Sequence, residues 1–324
     1  MSILQVKPEF ISNFSEGNSP INGTTLRYNA AIGILEFSSE IPPEVRSSGY
    51  SSGGETLPTI TKLNPIDKFP FAADGNATDV GDLTIGRDRV AGQSSTVSGY
   101  TSGGGFPVKN IIDKFPFSSN ANATDVGDLT QGRYAVAGQS SSSSGYTSGG
   151  YTPTLVNTID KFPFASNSNA SDVGNLTVTR AGVAGQNSTD NGYTSGGSAL
   201  NTIDKFPFAT DANASDVGDL TQARGAVAGQ SSSNSGYSSG AGNPTSLNTI
   251  DKFPFASNAN ASDVGDLTLA RSFTAGQSST NSGYNSGGSS TLNIIDKFSF
   301  AADGNASDVG DLTIARSTAA GQQV

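Results

Sequence analysis

The chain has 324 residues, with no Cys, His or Trp, a net charge of -10 and a sequence pI near 4.4. The missing residue types exclude disulfide scaffolds, Cys/His zinc sites, thiol nucleophiles and a Ser-His-Asp triad, and the acidic balance opposes a phosphate-binding surface, so no nucleic acid, metal or other cofactor is expected. No apolar run approaches the ~20 residues that cross a bilayer, and the start MSILQVKPEF lacks the basic and apolar regions of a signal peptide, so a soluble chain without membrane insertion is expected.

Residues 1–45 differ in composition from the rest. The stretch GTTLRYNAAIGILEF, Gly23 to Phe37, alternates apolar and polar residues around Asn29-Ala30 and predicts a short hairpin, after which Pro42-Pro43 marks a linker. Leu26-Arg27-Tyr28-Asn29 followed by Glu36 resembles the LRYN…E hairpin of bacteriophage tail-fibre and other virion appendage proteins, although the Trp that often follows there is missing. The resemblance implies a docking role for this segment, with Leu26, Arg27, Tyr28, Asn29, Ile34 and Phe37 as its contacts. A strand that merely caps the following domain is the alternative.

From residue 46 onward the chain repeats. IDKFPF begins at Ile66, Ile112, Ile159, Ile203 and Ile250 and returns as IDKFSF at Ile295, at intervals of 46, 47, 44, 47 and 45 residues. GYxSGG, GDLT and AGQ keep the same beat, six times each, two of the copies carrying one changed residue. One unit therefore supplies four short extended stretches separated by Gly, Ser, Asn and Asp turns, and this period predicts a propeller with one four-stranded blade per repeat. The first unit lacks its AGQ strand and the last stops just after one, Ala320-Gly321-Gln322. The two ends complete each other, which predicts six blades closed by pairing the C-terminal strand with the N-terminal blade, leaving no open edge.

The unit resembles the kelch-type repeat, whose Gly-Gly, Asp and Arg positions are held in one repeat by Gly103-Gly104, Asp113 and Arg133. The aromatic Trp expected in such blades is absent; Phe69 and Phe71 with their counterparts, twelve of the seventeen Phe, are expected to supply its packing. The fold class expected is therefore all-β: a six-bladed kelch-like propeller over 46–324 plus a small β-rich N-terminal anchor over 1–45.

Gly and Ala suit the innermost strand, where backbones crowd. The residue after them, Gln93, Gln139, Gln186, Gln230, Gln277 or Gln322, is expected to recur around the channel as solvated lining. The repeated Arg and the Asp-Lys of IDKF suggest salt bridges or backbone contacts repeated between blades. The stretch DGNATDVGD, Asp74 to Asp82, recurs in every unit but departs from the EF-hand spacing, so Asx-turn chemistry is expected, with calcium as the alternative. Its N-A-[ST] reads as the same turn rather than as a glycosylation acceptor.

All length variation sits between GY and ID, where the interval runs 17, 13, 14, 11, 14 and 12 residues, while the other three intervals are constant at 8, 15 and 10. In an up-and-down blade this loop shares a face with the connection to the next blade, whose two residues after each repeated Arg also vary. Recognition usually resides on variable loops held by a rigid scaffold, so Asp88, Arg89, Phe106, Tyr134, Tyr151 and Phe273 are the candidate binding residues, neutral drift being the alternative. All six Glu precede residue 56, no pair of carboxylates is singled out, and catalysis is not expected.

Together, the two resemblances point to repeat-bearing structural proteins of marine bacteriophages, including cyanophages. They imply a virion protein present in multiple copies, docked to other virion proteins through residues 1–45 and presenting the propeller to a host-surface glycan or protein. A purely architectural role at a head or tail joint, and an intracellular kelch-type adaptor, are the alternatives.

Overall fold

The computed structural model describes residues 25–29, 34–38, 46–105, 107–242 and 245–324. The chain separates into two compact units, Met1–Val45 and Arg46–Val324. In the first, strands Thr25–Asn29 and Ile34–Ser38 pair antiparallel, with Leu26 opposite Phe37, Arg27 opposite Glu36 and Asn29 opposite Ile34. The second is a six-bladed all-β propeller of four-stranded antiparallel blades.

Blade 1 is the composite one. Its innermost strand Ala320–Gln323 pairs with Ser48–Ser52, followed outward by Pro65–Pro70 and Thr78–Asp82. The register sets Ala320 opposite Ser52 and Gln322 opposite Tyr50. Blades 2 to 6 begin with the inner strands Ala91–Ser94, Ala137–Ser140, Ala184–Asn187, Ala228–Ser231 and Ala275–Ser278.

Each blade is too thin to bury its own faces, so the core lies in the seams between blades. Tyr50 of blade 1 packs on Phe115 and Phe117 of blade 2, with ring centroids 5.6 and 4.8 Å apart, around Ile66 and Leu83. The same cluster recurs around the ring, ending with Tyr284 of blade 6 on Phe69 and Phe71 of blade 1. The IDKFPF phenylalanines thus take the packing role, and aromatic pairs of this kind add to the area they bury.

A second element repeats in every seam. Thr84, at the exit of blade 1, donates its backbone N–H and its hydroxyl to the Asp113 carboxylate of blade 2 at 3.0 and 2.7 Å, and Arg87 pairs with the same carboxylate at 3.0 Å. Arg87 also donates to the carbonyls of Ile111 and Thr101. All six Arg-Asp pairs span 2.7 to 3.2 Å with side chains no more than 1% exposed. Burial pushes each guanidinium below its ordinary value while its Asp partner draws it back.

The Asn of the recurring N-A-[ST] turn closes the seam at the rim. Asn122 Oδ1 of blade 2 accepts the Asp82 N–H of blade 1, and Ala123 N–H donates to Asp82 O. This covers the outer strand, whose unpaired groups would otherwise form an open sheet edge. Within the turn, Asp79 Oδ1 accepts the Gly81 N–H, an Asx arrangement. Among the described residues no group of three or more His, Cys, Asp or Glu is placed to hold a metal.

The innermost strands approach so closely that only Gly fits. A Cβ on Gly138 would lie 2.1 Å from Gly92 O, and the same contact runs round the axis through Gly185, Gly229, Gly276, Gly321 and back to Gly92. The sequence places Gln in the channel, and the structure corrects this. Gln93, Gln139, Gln186, Gln230, Gln277 and Gln322 are 0 to 1% exposed. Each amide turns into a seam, donating to a Ser hydroxyl of its own blade and to a Tyr carbonyl of the next, as Gln93 does to Ser102 Oγ at 2.8 Å and Tyr146 O at 3.0 Å. Both faces of a blade are covered by neighbours, so alternation along the inner strand sends side chains into seams. Only Gln93 and Gln230 of the six border the narrow axial cavity.

Burial of the seam tyrosines has a consequence at high pH. It pushes the Tyr50 hydroxyl from about 10 up to about 12, and moves Tyr100, Tyr146, Tyr193, Tyr237 and Tyr284 upward as well. A folded value above the unfolded one means stability is fully present below about pH 10 and is lost as pH rises towards 12; for Tyr50 the loss is on the order of 3 kcal/mol. The urea midpoint is therefore expected to fall steeply between pH 10 and 12, and less steeply in Tyr50→Phe, which has no proton to lose. Parallel profiles for the two proteins would refute the assignment.

Candidate functional site

The connections from second to third strand and from fourth strand to the next blade emerge on one face. Eight of the nine exposed large apolar residues among those described lie on these segments, among them Ile60, Leu155 and Phe273; Val97 alone lies on the opposite face. At the centre of this loop face the chain enters each inner strand through a residue with left-handed backbone: Arg89, Ala135, Gly182, Ala226, Phe273 and Thr318, with φ between 53° and 67°.

These six residues close a circle of backbone hydrogen bonds. Ala135 N–H donates to Arg89 O, Gly182 to Ala135, Ala226 to Gly182, Phe273 to Ala226, Thr318 to Phe273, and Arg89 to Thr318, at 2.7 to 3.0 Å. Only one position is Gly, so the others carry strain of roughly 1 to 2 kcal/mol each, Thr318 being β-branched as well. Replacing half-buried Ala135 by Gly is expected to raise stability by about 0.5 to 1 kcal/mol after the entropy of Gly in the unfolded chain is counted. Chemical denaturation checks it; a loss of stability would show that the Ala135 methyl packs more strongly than its backbone is strained.

Inside the circle lies an axial socket of about 70 Å³, walled by Val90, Val136, Val183, Val227, Thr274 and Ala319. Its rim is unequal around the ring. Between blades 3 and 5 it is small, with Ala181, Gly182, Gly225 and Ala226, whereas Phe273 stands 39% exposed further round. On the side of blades 1 to 3 a charged and aromatic cluster is gathered that no other repeat copies.

That cluster starts from a local ribbon. Glu55–Thr56 pairs with Thr61–Lys62, setting Glu55 opposite Lys62 in register, and their charges meet at 2.7 Å. Lys62 also reaches Asp88 at 2.7 Å, while Arg89 lies 3.7 Å from both carboxylates. The Arg89 guanidinium sits over the Tyr134 ring, 5.6 Å from its centroid, and the Tyr134 and Tyr151 rings are 5.4 Å apart. Tyr134 and Tyr151 exchange backbone hydrogen bonds, which fixes the loop of blade 3 against the blade entry.

Of the candidate binding residues, Arg89, Tyr134 and Tyr151 are brought together, and Phe273 joins Arg89 on the socket rim. Asp88 is not a surface contact: it is 0% exposed, turned beneath Gly105 and neutralised by Lys62, because a carboxylate at that depth requires a paired cation. Phe106 lies outside the described residues, as do the side chains of Leu26, Arg27, Tyr28, Asn29, Ile34 and Phe37. Sequence reading missed Glu55 and Lys62, and with them a pair of carboxylates that is not copied round the ring. The available signal was that Glu55, the only Glu after residue 45, falls in the 17-residue interval, the longest loop. Comparison of the chain with protein-family models and with curated proteins gives no match.

Proposed function

We propose that this chain is a non-enzymatic structural protein of a bacteriophage particle, anchored by residues 1–45 to other virion proteins and displaying the kelch-like propeller for contact with the host surface. The observation that carries the reading is the confinement of length variation to one face. A scaffold that repeats its seams six times varies its loop lengths, and gathers its uncopied Arg89, Tyr134, Tyr151 and Glu55, around one axial mouth. The charges there are mutually engaged, Lys62 and Arg89 with Glu55 and Asp88, which suits recognition better than proton transfer. Multiple copies on a particle would let weak contacts sum through avidity. The N-terminal LRYN…E hairpin supports attachment to a virion.

Immunogold imaging of purified phage particles with antibody to residues 46–324 tests the reading. Label at a tail or fibre tip is the expected result. Label confined to a head or neck joint would replace host contact with architecture, and absence from particles would overturn the virion assignment.

A further inference from the structure

Of the described residues with positive φ, eighteen are Gly and nine are not, four of the nine being Ser198, Ala199, Ser290 and Thr291 in the loops between second and third strands. The axial circle on the loop face holds the other five. Gly182 shows that Gly closes the circle, giving and receiving the same 2.8 Å bonds as its neighbours, yet Arg, Phe and Thr hold equivalent places. Those side chains are kept against the backbone's preference, and all three line the socket, with Arg89 and Phe273 partly exposed at its rim and Thr318 buried.

The socket limits what can enter. About 70 Å³ takes a methyl or acetyl group, since one water occupies roughly 30 Å³, and lies far below the ~300 Å³ at which pockets enclose a whole ligand. Its valine wall favours an apolar group. Arg89 on its rim is offset by Glu55, 3.7 Å away, which favours a neutral ligand, and Phe273 offers an exposed aromatic face.

We propose that the axial mouth binds a neutral sugar bearing a methyl group, either as an N-acetyl or as a 6-deoxy carbon. The methyl enters the valine-walled socket, a sugar C–H face lies on Phe273, and Arg89 donates to sugar hydroxyls. This deepens the surface-attachment reading and rests on it.

Saturation-transfer NMR on the full chain with N-acetylglucosamine, rhamnose and glucose tests the proposal. Transfer is expected to be strongest at the acetyl methyl or at the rhamnose C6 methyl, whichever fits distinguishing the two sources, with glucose at least tenfold weaker. Phe273→Gly and Arg89→Gly should each weaken binding at least tenfold without lowering the melting temperature, because Gly suits the left-handed backbone; Val97→Ser on the opposite face should bind as the parent does. Glucose binding as well as the methyl sugars, or undiminished binding in both Gly variants, would overturn the proposal, as would no transfer to any of the three. Particles labelled in the imaging experiment with no sugar bound overturn this inference alone; sugar bound by a chain absent from particles overturns the virion reading alone.

Discussion

Replacing Asp204 by Ala is expected to lower the stability of the propeller by about 3 to 5 kcal/mol, the range for breaking a buried ion pair from one side. Asp204 is 0% exposed and joins three groups across the seam between blades 3 and 4: the Thr177 N–H at 2.9 Å, the Thr177 hydroxyl at 2.6 Å and Arg180 at 2.9 Å. Its removal leaves a guanidinium uncompensated in a place with no access to water. Arg180 remains bonded to the carbonyls of Thr194, Gly196 and Thr202, so it cannot leave the seam without breaking those bonds too. Thr177→Val removes only the hydroxyl bond and should cost about 1 to 2 kcal/mol. Urea denaturation of the two variants checks the order; equal losses would mean that the hydroxyl, and not the ion pair, carries the seam.

The repeated Arg and Asp were legible as inter-blade contacts, because two charges copied at a fixed interval in a thin blade must face a neighbour. The Phe pair and the closing strand were legible for the same reason: period and phase survive without any side-chain geometry. The destination of the Gln side chains was not. A two-residue alternation distinguishes a wet face from a dry one, and an inner strand covered on both faces offers no such contrast. The left-handed circle was hidden because Arg89, Ala135, Phe273 and Thr318 carry none of the usual turn residues. The Glu55 to Lys62 ribbon was hidden by its position: it lies in the variable loop, where repeat comparison gives no register. Apart from the Gln side chains, which repeat in every seam, what escaped the sequence is concentrated on the loop face.

Deleting Ala320–Val324 is expected to prevent the ring from closing and to abolish cooperative unfolding at 25 °C. The segment supplies the whole inner strand of blade 1 and fills several places at once. Gly321 completes the circle of close backbone contacts between Gly276 and Gly92, Gln322 donates to Ser52, Tyr100 O and Thr101, and the Gln323 N–H donates to Ser94 Oγ. Val324 is tied to Ser47 and Ser48 by backbone bonds. Without the strand, the second strand Ser48–Ser52 becomes an open edge and the seams to blades 2 and 6 lose their inner contacts, while the loop entropy already spent in curving the other blades is no longer offset. Repeat proteins distribute stability over neighbouring interfaces, so the remaining blades should unfold gradually rather than as a unit. A broad, low-temperature transition in circular dichroism, sharpened when a peptide spanning residues 317–324 is added in excess, is the expected result. A truncated chain that melts as sharply and as high as the parent would show that the ring does not depend on its closing strand.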